Sequence, residues 1–207
     1  QDVAIERCEP NAGRVSGRCR LGSLSDTTVL FGVPFQGGIG VAAKDLILDF
    51  NEYDLNTVVA DIDAIRKFNP QRGAMEHLTA IVLDDPERHL CVGYKDIGGD
   101  EFWVEGHMPG MPLMPGVIMC EAAAQVCSYH TQKNNLLGAE MVGFGGLDKV
   151  RFRGTVVPGD RLVIVAGLLK FRRGALIRSR FQAFVRESLV CGGVITGIPI
   201  PVEMLTK

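Results

Sequence analysis

Glu121 is the only acidic residue in a long uncharged stretch of the chain, and His107 lies fourteen positions before it. From His107 to Gln132 the sequence contains no lysine, no arginine and no second acid. An ionised carboxylate inside an apolar helix costs several kcal/mol unless it is paired or takes up a proton. Because a buried acid near an imidazole is a candidate acid–base pair, we expect the function to depend on these two residues.

The residue types alone leave simpler interpretations open. His107 could be a turn histidine that bonds backbone groups, and Glu121 could be a structural acid held by a backbone N–H. His77 and His89 lie on strand-like segments with no acid at a useful spacing, which indicates surface or strand positions. His130 closes the apolar stretch, and we expect it to interact with the last carbonyl groups of a helix.

A helix must position Glu121. Pro115 suits the first turn of such a helix, and apolar residues continue on every face to about Tyr129. A helix that is apolar all round is expected to be buried on all sides.

Strands account for most of the remaining pattern. Alternating and β-branched runs are separated by turn residues such as Pro158-Gly159-Asp160, Arg173-Gly174 and Asp84-Asp85-Pro86. The predicted strands cover residues 77–83, 88–97, 141–153, 160–172, 174–186 and 188–197. One helix wrapped by a sheet whose strands mostly follow it is an α+β architecture.

The first part of the chain follows a different pattern. Residues 1–41 are rich in glycine and keep no regular periodicity, so we expect residues 1–43 to be a flexible or irregular extension of a domain spanning 44–207. Apolar residues from Leu55 to Ile65 recur at helical spacing, which predicts a helix capped by Asp54 or Asn56.

Composition narrows the class of protein. The chain is 46% hydrophobic and 22% charged, as is ordinary for a globular protein, and no apolar run reaches the length of about 20 residues that crosses a membrane. The six cysteines form no CxxC pair and no zinc spacing, so we expect no metal and a reducing cytoplasm. Nothing in the sequence indicates an organic cofactor or a nucleic-acid partner.

Two segments together resemble a known family. Gly106–Gln125 reads GHMPGMPLMPGVIMCEAAAQ and Gly146–Leu162 reads GLDKVRFRGTVVPGDRL. They are similar to the two signature segments of the bacterial 3-hydroxyacyl-[acyl-carrier-protein] dehydratases of the FabZ type, GHFPGxPxMPGVLxxEAxAQ and DKxRFRxxVxPGD. The resemblance covers roughly Ile65–Ile195.

The resemblance implies a hotdog fold, in which an antiparallel sheet wraps a long central helix and two subunits join their sheets edge to edge. It implies a homodimer, and a trimer of dimers in related proteins, that acts without a cofactor. By resemblance, His107 and Glu121 are the catalytic pair, contributed by opposite subunits. Gly116 would place its N–H at the thioester carbonyl, and Gln125 would follow the acid by one turn as part of the substrate site.

The same chemistry can be argued from the residues. Dehydration of a 3-hydroxyacyl thioester needs a base at the α-carbon, an acid for the departing hydroxyl and donors for an enolate-like oxygen. Neutral His107 can serve as the base, and Glu121, kept protonated by burial, can serve as the acid. The N–H groups of Gly116 and Val117 open a helix whose dipole favours a developing negative charge.

Charge is distributed unevenly along the chain. The net charge of the whole chain is −2. Residues 42–106 carry six Lys and Arg against fourteen Asp and Glu, whereas residues 145–190 carry ten Lys and Arg against three Asp and Glu. Acyl carrier proteins are acidic, and strand alternation would place Lys149, Arg151 and Arg153 on one face, so we expect these residues to dock the carrier. Alternatively, strands from the two halves neutralise each other within the fold.

The chain departs from the family pattern in one segment. The family usually reads LLPHRYPFLLVDR, whereas this chain reads FNPQRGAMEHLTAIV, with Gln71, Gly73 and Glu76 in place of the His, aromatic and apolar residues. Met108 replaces the Phe that follows the catalytic His. The departures leave two alternatives to a dehydratase open: a hotdog acyl thioesterase, and a non-catalytic acyl-binding or scaffold paralogue.

Overall fold

The computed structural model describes residues 45–201, and the extension predicted for residues 1–43 lies outside the described residues. The described chain forms one antiparallel sheet of six strands around one long helix. The helices are α1 (Ile62–Ile65) and α2 (Gly116–Lys133), with short 3-10 turns at Phe50–Glu52 and Gly73–Met75. The strands are β1 (Ala80–Asp85), β2 (Leu90–Asp96), β3 (Met141–Phe152), β4 (Arg161–Arg172), β5 (Leu176–Val185) and β6 (Ser188–Ile200).

The strand order in the sheet is β1-β2-β4-β5-β6-β3, and every neighbouring pair is antiparallel. This confirms the α+β hotdog arrangement, and each predicted strand is present. The first turn differs from the prediction, because Asp84 and Asp85 belong to β1. The Asp85 carboxylate accepts hydrogen bonds from the N–H groups of Glu87 and Arg88, which moves the turn to residues 86–89.

Helix α2 packs on the inner face of the sheet. Its buried side chains, among them Met119, Ala122, Ala123 and Val126, join the main apolar core with strand residues such as Phe181. The expectation that α2 is buried on all sides is wrong for one stripe of the isolated chain. Val117 is 70% exposed, and residues 121, 124 and 128, spaced one helical turn apart, are only partly covered. No helix among residues 45–201 has the length and apolar character to span a bilayer.

The outer face of the sheet is covered by the chain segment 45–57. Leu48 is buried there, and the ring of Phe50 meets that of Phe184 edge-on at 5.0 Å. Gln182 fixes the start of the segment, because its Oε1 accepts from the Ile47 N–H at 2.8 Å and its Nε2 donates to the Asp45 carbonyl at 3.0 Å. Residues 90–94 of β2 and 162–166 of β4 are therefore buried on both faces, which explains why both runs are almost entirely apolar.

The helix predicted from Leu55 onwards is wrong over most of its length. Only Ile62–Ile65 is helical, and its cap is Asp61, whose carboxylate accepts from the Ala64 N–H. The Asp54 carboxylate instead closes a turn by accepting from the Asn56 N–H and the Thr57 hydroxyl. Asp and Asn favour such local turns, which compete with helix formation.

Strand β3 is irregular where the basic residues lie. Its pairing with β6 shifts register between Asp148 and Arg151, and Lys149 adopts a left-handed backbone with φ of 53°. Two residues of β3 therefore oppose Gly193 alone, as in a β-bulge. The expected alternation from Lys149 to Arg151 to Arg153 is interrupted at this point, and Arg151 shares a face with Asp148 instead.

A buried charge cluster ties the C-terminal end of α2 to β1. The Asp84 carboxylate contacts His130 Nδ1 at 2.5 Å and Lys133 Nζ at 3.1 Å, and its side chain is 3% exposed. His130 thus pairs with an acid of β1, whereas the sequence predicted contact with the helix's last carbonyls. Burial alone would raise the pKa of Asp84, but the hydrogen bonds from His130 and Lys133 outweigh burial and hold that pKa below its ordinary value.

We expect Asp84→Asn to lower the free energy of unfolding by about 2 kcal/mol at pH 7, because it removes the buried anion that is hydrogen-bonded to His130 and Lys133. Since the pKa of Asp84 is lower in the folded than in the unfolded chain, its ionised form stabilises the fold above about pH 4. This contribution disappears as the pH falls through the folded-state pKa. Urea unfolding should therefore show that the loss of unfolding free energy in Asp84→Asn becomes smaller in acid. The control is Asp100→Asn at an exposed position, which should change the stability little at any pH. A deficit that did not depend on pH would contradict the ionic role.

Candidate active site

His107 lies on a tight loop that precedes α2. The His107 N–H donates to the carbonyl of buried Trp103 at 2.8 Å, and the Leu113 N–H donates to the His107 carbonyl at 2.9 Å. His107 Nδ1 lies 2.9 Å from the Leu113 carbonyl oxygen. Because a carbonyl only accepts, Nδ1 carries the hydrogen, and Nε2 of the neutral ring keeps its lone pair. The contact with the Leu113 carbonyl thereby leaves Nε2 as the ring nitrogen that can accept.

Two contacts hold this loop, one to strand β2 and one to the connection between β3 and β4. Lys95 of β2 forms a largely buried ion pair with Glu101 at 2.7 Å, and the Met114 N–H donates to the Val156 carbonyl at 2.8 Å. The loop therefore has a defined position relative to the start of α2, although the His107 side chain itself is exposed.

Glu121 lies on the open stripe of α2 and lines a groove between the helix and strands β3, β5 and β6. The other wall of the groove includes Phe144 and Ile195. Glu121 Oε1 accepts hydrogen bonds from Gln125 Nε2 at 2.8 Å and from Gln71 Nε2 at 3.4 Å. A proton on this carboxyl group therefore belongs on Oε2, since Oε1 already faces two donors.

Gln125 is 2% exposed, and its amide is fully engaged. Its Oε1 accepts from the His77 N–H at 2.9 Å, and its Nε2 donates both to the Met75 carbonyl and to Glu121. A buried amide with three partners fixes its neighbours, because breaking any one bond leaves an unpaired polar group. In this chain the Gln125 amide holds Oε1 of Glu121 in place.

The N-terminal end of α2 offers free backbone donors. Within residues 45–201, no group accepts from the N–H of Gly116 or Val117, as expected for the first turn of a helix. Gly116 has no room for a side chain, since a Cβ there would lie 2.7 Å from the ring of Phe152. The two donors and the helix dipole could stabilise an oxyanion.

The structure of one chain does not bring the two predicted catalytic residues into contact. Glu121 lines the groove and His107 does not, and no hydrogen bond between described residues joins them. Lys149, Arg151 and Arg153 are exposed. In the same part of the sheet Asp148 is paired with Arg178 at 2.7 Å.

The sequence marked residues 71–76 as a departure from the family pattern but did not predict that the segment 66–77 contacts the acid and its neighbour Gln125. His77 is not a surface residue, because it is 0% exposed, and burial, together with nearby Lys95, holds its pKa below the ordinary value. Asn69 Nδ2 donates to the backbone carbonyl of Gln125, and Gln71 reaches Glu121. The signal available in the sequence was the departure from the family pattern at Gln71.

One group of potential metal ligands exists among the described residues, and it lies at the other end of α2 from Gly116. Single ligand atoms of Asp84, Cys91 and His130 lie within 4.8 Å of one another. Both oxygens of Asp84 are already paired, with His130 and with Lys133. The cluster is therefore explained by charge pairing between β1 and α2.

Comparisons with known proteins converge on one family. A family model described as the FabA-like domain matches residues 69–193. The 3-hydroxyacyl-[acyl-carrier-protein] dehydratase FabZ of Desulforamulus reducens is 39% identical over 129 residues, which cover 62% of this chain and 89% of that protein. The protein of the same name from Moorella thermoacetica is 36% identical over 131 residues, which cover 61% and 91%.

A solved structure shows the same fold. The dehydratase heterocomplex ApeI:P of Xenorhabdus doucetiae aligns with a TM-score of 0.58 at 12% identity, covering 69% of this chain and 97% of that chain. His107 and Glu121 both lie inside the residues that the family model matches.

Proposed function

The chain belongs to the FabA-like domain family, and we propose that it removes water from 3-hydroxyacyl thioesters of acyl carrier protein to give trans-2-enoyl thioesters in fatty acid biosynthesis. The observation that carries the proposal is the arrangement around α2. A lone carboxyl group faces a groove beside the helix, and an imidazole whose Nε2 is free to accept a proton lies on the loop before it. The two FabZ dehydratases support the same reaction.

The proposed reaction divides proton transfer between the two side chains. His107 Nε2 takes a proton from the α-carbon, while Glu121 Oε2 gives a proton to the 3-hydroxyl group, which leaves as water. The electron pair of the α C–H bond becomes the new carbon–carbon double bond. The N–H groups of Gly116 and Val117 stabilise the negative thioester oxygen in between, and one such donor is typically worth about 3 kcal/mol of barrier.

A second copy of the chain would complete the site. Strand β3 has twelve residues and is an open edge within the described chain, whereas the shorter edge strand β1 is partly covered by the bridge between Ala60 and Ile81. Open edges and exposed apolar patches are typical of interfaces. The apolar side chains near this edge and the start of α2 are at least 42% exposed: Val117, Phe144, Leu147 and Phe152. We place the second copy at the part of β3 that precedes the bulge at Lys149, so that His107 of one subunit faces Glu121 of the other and the basic residues from Lys149 onwards stay accessible.

The cysteines support a reducing compartment. Cys91, Cys120, Cys127 and Cys191 are buried free thiols. Free thiols inside a core persist where disulfides are reduced, so we place the protein in the cytoplasm.

We expect His107→Ala and Glu121→Gln each to lower kcat for a 3-hydroxyacyl thioester at least about 100-fold, because each removes one proton-transfer group. Enoyl absorbance measures the reaction, and Tm should stay within about 3 °C of wild type, equivalent to about 1 kcal/mol. Release of free thiol in place of enoyl product would indicate a thioesterase. Near wild-type turnover by either variant would refute the assignment of that residue.

Mixing the two inactive variants should restore activity. In a mixed dimer one site has an intact His107 from one subunit and an intact Glu121 from the other. Random exchange should therefore give about a quarter of wild-type activity. If exchange is demonstrated by native mass spectrometry and no activity returns, both residues serve the same subunit's site.

Exposed basic residues provide the proposed docking surface for the acidic carrier. Among the described residues, Lys149, Arg151 and Arg153 form no ion pair with a carboxylate, whereas Arg161 and Arg178 are paired with Asp96 and Asp148. Unpaired charges are available to attract a partner, and their effect is screened beyond about 8 Å at physiological ionic strength.

Reversing Arg151 and Arg153 to Glu should raise KM for the carrier-bound substrate about tenfold at low salt, and the difference from wild type should shrink as salt increases. A small thioester analogue should react as before. The matched control reverses exposed Lys170 and Arg172 near the β4–β5 turn, which changes total charge equally. Equal loss on both substrates would show that the arginines serve the fold.

A further inference from the structure

Glu121 Oε1 receives two side-chain amide donors that differ in their freedom to move. Gln125 donates at 2.8 Å from a buried position and is also bonded to Met75 and His77. Gln71 donates at 3.4 Å, which is long for an N–H···O bond. Its Nε2 has Glu121 as its side-chain partner, and its Oε1 has no partner among residues 45–201. Gln71 can therefore shift toward the acid without breaking another bond.

The segment that carries Gln71 is held at its backbone. Arg72 donates to the carbonyls of Arg66, Asn69 and Gln71 at 2.6 to 2.9 Å. Arg66 also forms a two-bond ion pair with Glu76 at 2.6 and 2.9 Å. These bonds fix the backbone near Glu121 while the Gln71 side chain stays on the groove wall, where it lines the groove together with the acid.

We propose that Gln71 is a positioning residue for the acid step, an inference that rests on the proposed dehydration. When Glu121 Oε2 gives its proton to the leaving hydroxyl, the C–O bond breaks, water leaves and the carboxyl group becomes a carboxylate. A hydrogen bond to an ionised acceptor is shorter and about twice as strong as a neutral one. The Gln71 amide closes on Oε1 as this charge develops, since catalytic hydrogen bonds that are long in the free protein tighten during reaction.

Gln71 therefore stabilises the product of proton transfer more than the starting acid, and this difference accelerates the step. Gln125 makes a bond of normal length already in the resting site, so it holds the carboxyl group in place throughout. The two amides therefore have different roles. Gln125 fixes the direction of the carboxyl group, and Gln71 responds to its charge.

The test compares kcat and KM for a small 3-hydroxyacyl thioester, which avoids any effect on carrier docking. Gln71→Leu should lower kcat about tenfold and leave KM within about twofold, because the lost donor acts on the developing charge. Gln71→Glu, of the same shape but without the donor, should lower kcat further. Gln71→His restores an N–H donor and should recover most of the activity. Gln132→Leu is the matched control, since the half-buried Gln132 side chain on α2 bonds only the Glu140 carbonyl among described residues.

A change in KM alone, or wild-type kcat in Gln71→Glu, would overturn the positioning role. A second measurement separates this inference from the proposed function. In ¹⁵N NMR spectra the side-chain amide of Gln71 should shift on Glu121→Ala and stay unchanged on Glu140→Ala. If wild type does not dehydrate the thioester, the proposed function is wrong, and the NMR shift still decides whether Gln71 positions Glu121. Absence of the shift would overturn the inference even in an active enzyme.

Discussion

The sheet leaves one stripe of helix α2 uncovered, and the chemistry proposed for the chain depends on that gap. Elsewhere the helix is enclosed by apolar side chains, where an ionisable group is costly. Glu121 is tolerated because it lies on the open stripe and because two amides donate to one of its oxygens. The same opening gives substrate access to Oε2 and gives a second subunit an apolar surface to cover.

The two ends of α2 are used differently. At the N-terminal end the free N–H groups of Gly116 and Val117 favour negative charge, which suits an oxyanion. At the C-terminal end Lys133 supplies positive charge that complements the dipole, and both Lys133 and His130 bond to Asp84 of β1. The buried charge cluster thus anchors the helix at the end remote from the proposed oxyanion site.

The structure explains the residues that depart from the family pattern at positions 71, 73 and 76. Gly73 has a φ of 59°, in the left-handed region that favours glycine, where the family has an aromatic residue. Glu76 pairs with Arg66, and Gln71 reaches the acid. The segment 66–77 therefore supports the acid through polar contacts, several of them made by residues that depart from the family pattern.

The sequence by itself determined the elements and the residue types of the site. Periodicity and turn residues fixed the six strands and α2 to within a few residues, because each element must bury one set of side chains. The motif around His107 and Glu121 identified the family. Hydrogen bonds from a polar side chain to its own neighbouring backbone were harder to predict. The Asp54 carboxylate closes a turn in this way where apolar spacing predicted a helix.

Only the tertiary structure decided which side chains meet across the chain. The contacts of Gln71 with Glu121, of Asp84 with His130 and of Gln182 with residues 45–47 join positions 46 to 137 apart in sequence. The bulge at Lys149 likewise depends on its pairing with β6. Such contacts depend on how strands and helix are brought together, and local periodicity carries no information about partners so distant along the chain.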